Sequence, residues 1–268
     1  MTNKLNDITD TKEWIANLHS IREYSWKVPK ELKGVVSQGV LKPPELMRDI
    51  VTFFTHKGDE VVDPFAGEGG IVIGAAMADR LASGNDLYPE NLETAKAVGE
   101  HYGRPIGSHW GMTALDAFKF LPEAAARRPG TQDLFFTDMP WGIDHGRTVD
   151  KGGSVPFEMV GNDERDVGTL DSYDKFCESV GVVATHAYAL LKPKKYALFC
   201  WGDRHKGGQY RVVGSDVNPY IESQGLKLKG VQHFYPVPIN TRRQVFGWWT
   251  AYVPLVDHWS LYIYRKEN

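Results

Sequence analysis

The sequence has little of what marks secreted, membrane or metal-binding proteins. It contains two cysteines among 268 residues, and the separation of Cys177 and Cys200 fits neither a metal site nor a disulfide scaffold. Its longest strongly apolar run, residues 71–78, is far too short to cross a bilayer. Its first residues lack the pattern of a signal peptide. We therefore expect a cytoplasmic protein with no membrane partner and no bound metal.

An excess of charge of one sign is also lacking. The 31 Lys and Arg residues are balanced by 34 Asp and Glu residues, the net charge is −3, and the pI is near 6.3. No overall basic field therefore attracts the chain to nucleic acid. The charges are unevenly placed, since residues 132–191 are mainly acidic and residues 192–243 mainly basic. This contrast indicates either a basic contact surface or two ordinary solvated faces that the fold interleaves.

What the sequence does contain is a regular alternation of strand-like and helix-like segments. Such an alternation predicts an α/β fold with a mostly parallel, seven-stranded sheet that helices cover on both faces. No helix separates the last two strands, so we expect them to be antiparallel at one edge. Residues 11–24 predict a short amphipathic helix upstream. The predicted strands are at residues 59–63, 81–86, 107–111, 133–137, 195–201, 227–235 and 259–265.

A glycine-containing turn follows the first predicted strand. The eight residues that begin at Asp63 read D-P-F-A-G-E-G-G, in which Gly67 and Gly69 allow the backbone to approach a ligand closely. Asp86 ends the next strand about twenty residues later, where a carboxylate can accept both hydroxyls of a ribose. Together these features favour a nucleoside-containing cofactor over a plain turn and a helix cap.

A second polar cluster follows another predicted strand. It combines a carboxylate, a proline-held backbone and an aromatic face, in the order Asp138, Met139, Pro140 and Trp141. Because ligands bind beyond the carboxyl ends of the strands in a parallel sheet, we expect Asp138 to lie near Asp63. The cluster predicts a compact site for hydrogen bonding and stacking.

These motifs resemble those of the amino-methyltransferases that use S-adenosylmethionine to modify adenine-N6 or cytosine-N4 in DNA. D-P-F-A-G-E-G-G is similar to their cofactor motif D-P-F-x-G-x-G. D-M-P-W is similar to their catalytic motif of Asp, Asn or Ser before Pro-Pro and an aromatic residue. The upstream G-V-L-K-P-P-E-L and the final D-H-W-S-L-Y-I-Y-R-K are similar as well. The resemblance covers roughly residues 35–266 in the unpermuted motif order, and it implies a Rossmann-like methyltransferase fold.

The resemblance also implies roles for single residues. Asp138 and the carbonyl of Met139 accept the two hydrogens of the target amine, and Trp141 stacks on the base. Pro140 is the second proline of the motif, whereas Met139 replaces the first and loses its fixed φ. Asp116 is expected at the adenine ring or, equally well, as a helix cap. The implied cofactor-binding residues are Lys42, Pro43, Asp63, Phe65, Gly67, Gly69, Asp86 and Asp116.

The expected organisation is a helical extension over residues 1–34 and a methyltransferase domain over 35–268, with substrate-recognition insertions near 142–170 and 236–256. The basic residues expected to contact nucleic acid are Arg204, Lys206, Arg211, Arg242 and Arg243. The expected reaction is methylation of adenine-N6 in DNA. The alternatives are cytosine-N4 methylation, RNA base methylation and a noncatalytic cofactor-binding subunit, and a homodimer or a partner subunit is compatible with the sequence.

Overall fold

Helices and strands alternate along the chain as the sequence predicts. The computed structural model describes residues 4–37, 41–140, 163–206, 209–237, 256 and 258–268. Within these ranges the α-helices are α1 (Thr11–Ala16), α2 (Pro44–Phe54), α3 (Gly70–Met77), α4 (Pro89–His101), α5 (Ala117–Arg127), α6 (Tyr173–Leu190) and α7 (Val213–Glu222). The strands are β1 (Ile21–Tyr24), β2 (Glu60–Asp63), β3 (Leu81–Asp86), β4 (Trp110–Ala114), β5 (Gln132–Thr137), β6 (Leu191–Trp201), β7 (Arg204–Lys206), β8 (Gln209–Arg211), β9 (Leu226–Pro236) and β10 (Trp259–Lys266).

The main sheet has the strand order β1-β9-β10-β6-β5-β2-β3-β4. Neighbouring strands are parallel except around β10, which is antiparallel to both β9 and β6. Strands β7 and β8 form a separate antiparallel hairpin. The predicted mostly parallel sheet, with an antiparallel pair towards one edge, is therefore confirmed.

The described sheet has eight strands rather than seven because the N-terminal segment contributes one. The sequence predicts a single helix over residues 11–24, but α1 ends at Ala16 and β1 pairs in parallel with β9. The apolar residues that suggested a helical stripe are not all inward, since Leu18 is 59% and Ile21 68% exposed. Gln232 of β9 binds the carbonyl oxygens of Asn17 and His19. These bonds hold the segment as an edge strand instead of a second helical turn.

Helices cover both faces of the sheet, as predicted. On one face α2 and α3 pack in a core that includes Met47, Ile50, Ile71 and Val72. On the other face α6 and α7 pack in a core that includes Phe176, Val180, Val217 and Ile221. None of the helices in the described ranges is both long and apolar enough to span a bilayer.

The contact between α2 and α3 is unusually close and depends on glycine. A Cβ atom at Gly74 would lie 2.7 Å from the backbone nitrogen of Arg48 and 2.7 Å from the carbonyl oxygen of Pro44. A Cβ atom at Gly70 would clash with the carbonyl oxygen of Lys42. The two glycines therefore fix the start of α2, and with it Lys42, against the turn that follows β2.

Candidate active site

Two predicted motifs meet at the carboxyl edge of the sheet. Strands β2 and β5 are adjacent and parallel, with Val61 opposite Leu134, so the residues that follow each strand lie side by side. From β2 the order continues through β3 and β4 on one side and through β5 and β6 on the other. This reversal is the place where open α/β sheets bind ligands. Asp63 ends β2 and Asp138 directly follows β5, so the two residues lie at the same end of adjacent strands, as predicted.

The turn after β2 leaves room for a ligand. Gly67 and Gly69 have φ values of +51° and +85°, which L-residues with a side chain rarely adopt. A Cβ atom at Gly69 would lie 2.8 Å from that of Ala95, whereas one at Gly67 would have no neighbour within 4 Å. Gly69 is therefore needed for packing on α4, and Gly67 keeps the mouth of the turn open. Phe65 contacts the ring of Phe118 edge-on at 6.5 Å.

The carboxylate of Asp86 is fixed beside this turn. Its Oδ2 atom accepts from the N–H of Gly67 at 3.0 Å, and Oδ1 accepts from Tyr88 N–H at 3.0 Å and from Asn91 Nδ2 at 2.8 Å. Since a carboxylate oxygen accepts about two hydrogen bonds, Oδ2 retains an acceptor position. Burial raises the pKa of Asp86. A bound hydroxyl would satisfy this remaining position.

Asn85, next to Asp86, ties three strand ends together. Its Nδ2 atom donates to the carbonyl oxygens of Pro64 after β2 and of Leu115 after β4, at 3.2 and 2.9 Å. Its Oδ1 atom accepts from the hydroxyl of Thr113 at 2.8 Å. The side chain is fully buried. The sequence analysis did not single out Asn85, because a polar residue at a strand end has no spacing that distinguishes a brace from a cap.

Asp63 is a buried acid at the centre of this edge. Its Oδ1 atom accepts from the N–H of Phe65 at 3.0 Å, and the residue is 2% exposed. Burial raises the pKa of Asp63 well above its usual value. The negative charges of Asp138 and Asp86 raise the pKa of Asp63 further, while Lys42 acts in the opposite direction. A ligand that brings positive charge would relieve this unfavourable burial.

A lysine from the loop before α2 reaches the second carboxylate. The Nζ atom of Lys42 lies 2.5 Å from Oδ2 of Asp138, and the side chains are 24% and 21% exposed. Burial opposes the charge of Lys42, but the neighbouring Asp138 outweighs it and raises the pKa of Lys42. The buried thiol of Cys200 faces the same carboxylate. Burial, and after it the negative charge of Asp138, raises the pKa of Cys200 well above its usual value. The structure thus shows an ion pair between Lys42 and Asp138. It also shows Cys200 beside Asp138, a neighbour that the sequence did not indicate.

The rest of the catalytic motif is held by burial. The side chain of Met139 is fully buried in the core that packs against α6, and Pro140 is half-buried. The buried side chain of Met139 anchors the chain at the position where the family that the sequence resembles has proline. Trp141, the predicted stacking residue, lies outside the described residues.

Asp116 begins α5, and its carboxylate accepts from the N–H of Phe118 at 2.9 Å. It therefore has the role of a helix cap that the sequence left open. It also lines a cleft of about 670 Å³ that Leu87, Leu115 and Phe120 border. Because Leu87 follows Asp86, this cleft begins beside the carboxylate expected at the ribose.

Two further segments contact the residues that follow β2 and β3. Oε1 of Glu68 accepts from the N–H of Ser37 at 2.7 Å, and its buried Oε2 has no partner among the described residues. The hydroxyl of Tyr88 donates to Asp166 at 2.8 Å. The first bond attaches the segment before Lys42 to the turn after β2. The second attaches Asp166 to the residue that precedes α4.

The predicted nucleic-acid contacts are only partly described. Arg204 and Arg211 pair across the β7–β8 hairpin, which follows β6 at the carboxyl edge of the sheet. Arg211 is exposed, and its guanidinium lies 4.7 Å from the ring centroid of Tyr173. Lys206 is in β7, but its side chain is not described, and Arg242 and Arg243 lie outside the described residues. Among the described residues no group of three His, Cys, Asp or Glu side chains could hold a metal ion.

Comparison with solved structures identifies the class of fold. The crystal structure of TrmN from Thermus thermophilus matches with a TM-score of 0.51 and 13% identity, over 88% of this chain and 52% of that one. The present chain thus spans about half the length of that chain. A TehB-like SAM-dependent methyltransferase from Corynebacterium glutamicum matches with a TM-score of 0.45 and 13% identity, over 87% and 93% of the two chains. The likeness to TrmN, together with the strand order of the sheet, confirms the predicted Rossmann-like fold.

A family comparison makes the relationship more specific. Residues 5–97 match the model of the N6_N4_Mtase family, which is described as DNA methylase. This stretch contains Lys42, the cofactor turn and Asp86. The match supports the predicted relationship to the DNA amino-methyltransferases over these residues. No curated protein matches the sequence.

Proposed function

We propose that this protein transfers a methyl group from S-adenosylmethionine to the exocyclic amine of a base in DNA, and that the base is adenine. The observation that carries the proposal is the position of the two motif carboxylates. Asp63 and Asp138 lie at the carboxyl ends of adjacent strands, where the strand order reverses. The family match over the cofactor half supports DNA as the substrate class. Aspartate at position 138 favours adenine over cytosine.

The described residues fit the cofactor. The open side of Gly67 and the unfilled acceptor position of Asp86 suit a ribose, and the cleft beside Asp116 suits a purine ring. The buried carboxylate of Asp63 suits the ammonium of a methionine moiety, since positive charge would stabilise its ionised form. S-adenosylmethionine supplies an electrophilic methyl group on a sulfonium and leaves as a neutral thioether.

The chain's own groups act on the target amine. The amine lone pair is delocalised into the base, and acceptors on its two hydrogens oppose that delocalisation. Asp138 supplies one acceptor and the carbonyl of Met139 the other. The amine nitrogen forms the new N–C bond as the S–C bond breaks. The electron pair of the S–C bond remains on sulfur, and one amine proton is lost to solvent. Trp141 is proposed to stack on the base, which contributes about 1–3 kcal/mol.

The β7–β8 hairpin is the proposed contact to the phosphate backbone. Arg204 and Arg211 lie at the same edge of the sheet as Asp138, and Arg242, Arg243 and Lys206 complete the proposed basic set. In duplex DNA the base must leave the stack, which costs a few kcal/mol. We include in the proposal that residues 142–170 and 236–256 contribute to substrate recognition.

The proposal is tested by offering duplex DNA, single-stranded DNA and RNA with methyl-labelled S-adenosylmethionine and identifying the methylated nucleoside by mass spectrometry. We expect N6-methyladenine in DNA, and a loss of about 100-fold or more in rate for Asp138→Ala, which removes the acceptor. Asp174→Ala, at an exposed aspartate on α6, is the matched control and should retain wild-type activity. N4-methylcytosine would correct the base, methylated RNA would correct the substrate, and cofactor binding without turnover would indicate a noncatalytic subunit.

A further inference from the structure

The catalytic carboxylate has two fixed partners in the protein itself. Lys42 places its ammonium 2.5 Å from Oδ2 of Asp138, and the buried thiol of Cys200 in β6 faces the same carboxylate. The backbone of Lys42 cannot shift easily, because its carbonyl oxygen lies against Gly70. Its ammonium also lies 5.4 Å from the ring centroid of Trp259 in β10. The lysine is thus held by the start of α3, by β10 and by Asp138.

We propose that Lys42 is a positioning residue for Asp138: its ammonium occupies Oδ2, so that Oδ1 is presented to the target amine. Cys200 is the second donor that fixes the rotation of this carboxylate. This inference rests on the proposed function, and it changes the role that the sequence resemblance implies for Lys42, which is contact with the methionine end of the cofactor. The contact with Asp138 commits one of the three ammonium donors of Lys42 to the protein itself.

The charges around this pair are consistent with a permanent contact. Asp138 is faced by Lys42, Cys200 and the buried Asp63, and Lys42 is faced in addition by Tyr24 of β1. Lys42 supplies positive charge beside the buried carboxylate of Asp63 and the partly exposed carboxylate of Asp138. Removing it would leave Asp63 and Asp138 as like charges at low solvent exposure, which is strongly unfavourable. The pair therefore holds Asp138 in one orientation before substrate arrives.

The first experiment tests the ion pair without using activity. In protein labelled with ¹⁵N-lysine, the Nζ signal of Lys42, assigned by its absence in Lys42→Met, should be protected from exchange and should titrate at high pH. In Asp138→Asn the protection should disappear and the titration midpoint should fall by about 1–3 pH units. If the Lys42 signal is the same in wild type and Asp138→Asn, the pair does not exist and the proposal is overturned, whether or not the protein methylates DNA.

The second experiment separates positioning from cofactor binding. For Lys42→Met we expect the Kd for S-adenosylmethionine to change less than about threefold, while kcat falls about 10–100-fold. Lys42→Arg keeps a cation and should restore part of kcat, and Cys200→Ser keeps a donor and should exceed Cys200→Ala in kcat.

A different pattern would overturn the proposal. If Lys42→Met weakens S-adenosylmethionine binding about 10–100-fold, the loss expected for a hydrogen bond to a charged group, and kcat at saturation is unchanged, then Lys42 is a cofactor ligand. If the wild type binds S-adenosylmethionine but methylates no base, the proposed function fails, and the role of Lys42 in orienting a target amine fails with it. A protected Lys42 signal would then mark a structural ion pair only. Thermal unfolding of each variant shows whether a loss reflects unfolding.

Discussion

At the scale of single residues, the site is defined by acids that the fold buries at one edge of the sheet. Asp63 is 2% exposed and shares its surroundings with Asp86 and Asp138, and Lys42 is the cation that faces two of them. Burial raises the pKa of both Asp63 and Asp86. Such perturbed acids are typical of functional sites, where binding a ligand offsets the cost of burying charge.

The first prediction concerns the pH dependence of cofactor binding through Asp63. Its pKa is raised in the free protein, and a cationic ligand favours its ionised form, so binding should release a proton. The affinity for S-adenosylmethionine should therefore rise with pH, by at most about tenfold per pH unit, and level off above the pKa of Asp63. Titration calorimetry in two buffers of different ionisation enthalpy would measure both the affinity and the proton release.

Asp63→Asn is the control for this prediction, because the amide cannot ionise. It should bind more weakly and show a flatter pH dependence. Asp86→Asn should weaken binding with little change in proton release, since a ribose hydroxyl is neutral. Proton release that persists in Asp63→Asn would assign the titration to another group.

The second prediction concerns the fully buried Met139. Met139→Ala should lower the free energy of unfolding by about 2–5 kcal/mol, as for other buried large-to-small changes, and should also slow methyl transfer because the neighbouring carbonyl loses its anchor. Met139→Leu keeps the volume and should cost less than about 1.5 kcal/mol. Urea unfolding measures both values. Equal stability of Met139→Ala and wild type would show that its side chain does not anchor the turn.

The residues that the sequence could identify are those at strand ends. Asp63, Asp86 and Asp138 were predicted to converge because parallel strands bring their carboxyl ends to one edge, and the structure places them there. The partner of Lys42 could not be predicted, because a long side chain can reach in several directions from one backbone position. Cys200 could not be predicted either, since a cysteine in an apolar strand has the pattern of a core residue.

At the scale of elements, the site depends on how α2 packs against α3. Gly74 brings the two helix backbones into contact, and this contact positions Lys42 at the start of α2. Helix α3 is buried along nearly its whole length, so it cannot move outward to make room. The pairing of β1 with β9 was missed for a related reason: a four-residue edge strand is defined by its partner, and its own sequence has too few residues to show a period.

The third prediction tests this helix contact. Gly74→Ala would place a Cβ 2.7 Å from backbone atoms of α2, which cannot rotate away as a side chain can. We expect a loss of about 1–3 kcal/mol in the free energy of unfolding, as for other overpacked cores, and weaker cofactor binding because Lys42 and the turn move apart. Denaturant unfolding and cofactor titration measure the two effects.

Gly181 is the matched control because it also lies inside a helix, α6, and faces a neighbouring helix. A Cβ there would meet Tyr220 at 3.5 Å, an ordinary contact. Gly181→Ala should therefore be neutral or should stabilise by up to about 1 kcal/mol through helix propensity. If the two substitutions had equal effects, the close approach of α2 and α3 would not be the cause.

At the scale of the whole molecule, the pKa values of buried acids are shifted in opposite directions at the carboxyl and amino ends of the parallel strands. The carboxyl edge buries acids whose pKa values are raised. The amino edge holds Asp133, which accepts from Lys192 at 2.6 Å and from the N–H of Glu60 at 3.1 Å, and lies 3.0 Å from Nζ of Lys195. Burial acts to raise the pKa of Asp133, but these hydrogen bonds outweigh it and the pKa is lowered. The acids at the carboxyl edge thus remain available to a ligand. At the amino edge, the contacts of Asp133 with Glu60, Lys192 and Lys195 join β2, β5 and β6.

The last prediction follows from the amino edge. Because the pKa of Asp133 is lower in the folded protein than the ordinary pKa of an aspartate, its contribution to stability is present above that ordinary pKa and is lost as the pH falls through the folded pKa. Asp133→Asn should lower the free energy of unfolding at pH 7 by about 1–3 kcal/mol, a value kept modest because Lys192 is 42% exposed and solvent screens it. The difference from wild type should shrink below about pH 4.

Asp171→Asn removes an exposed pair with Lys175 and should change stability little at any pH. A constant difference between Asp133→Asn and wild type across the acidic range would show that lost packing, and not lost charge, destabilises the variant.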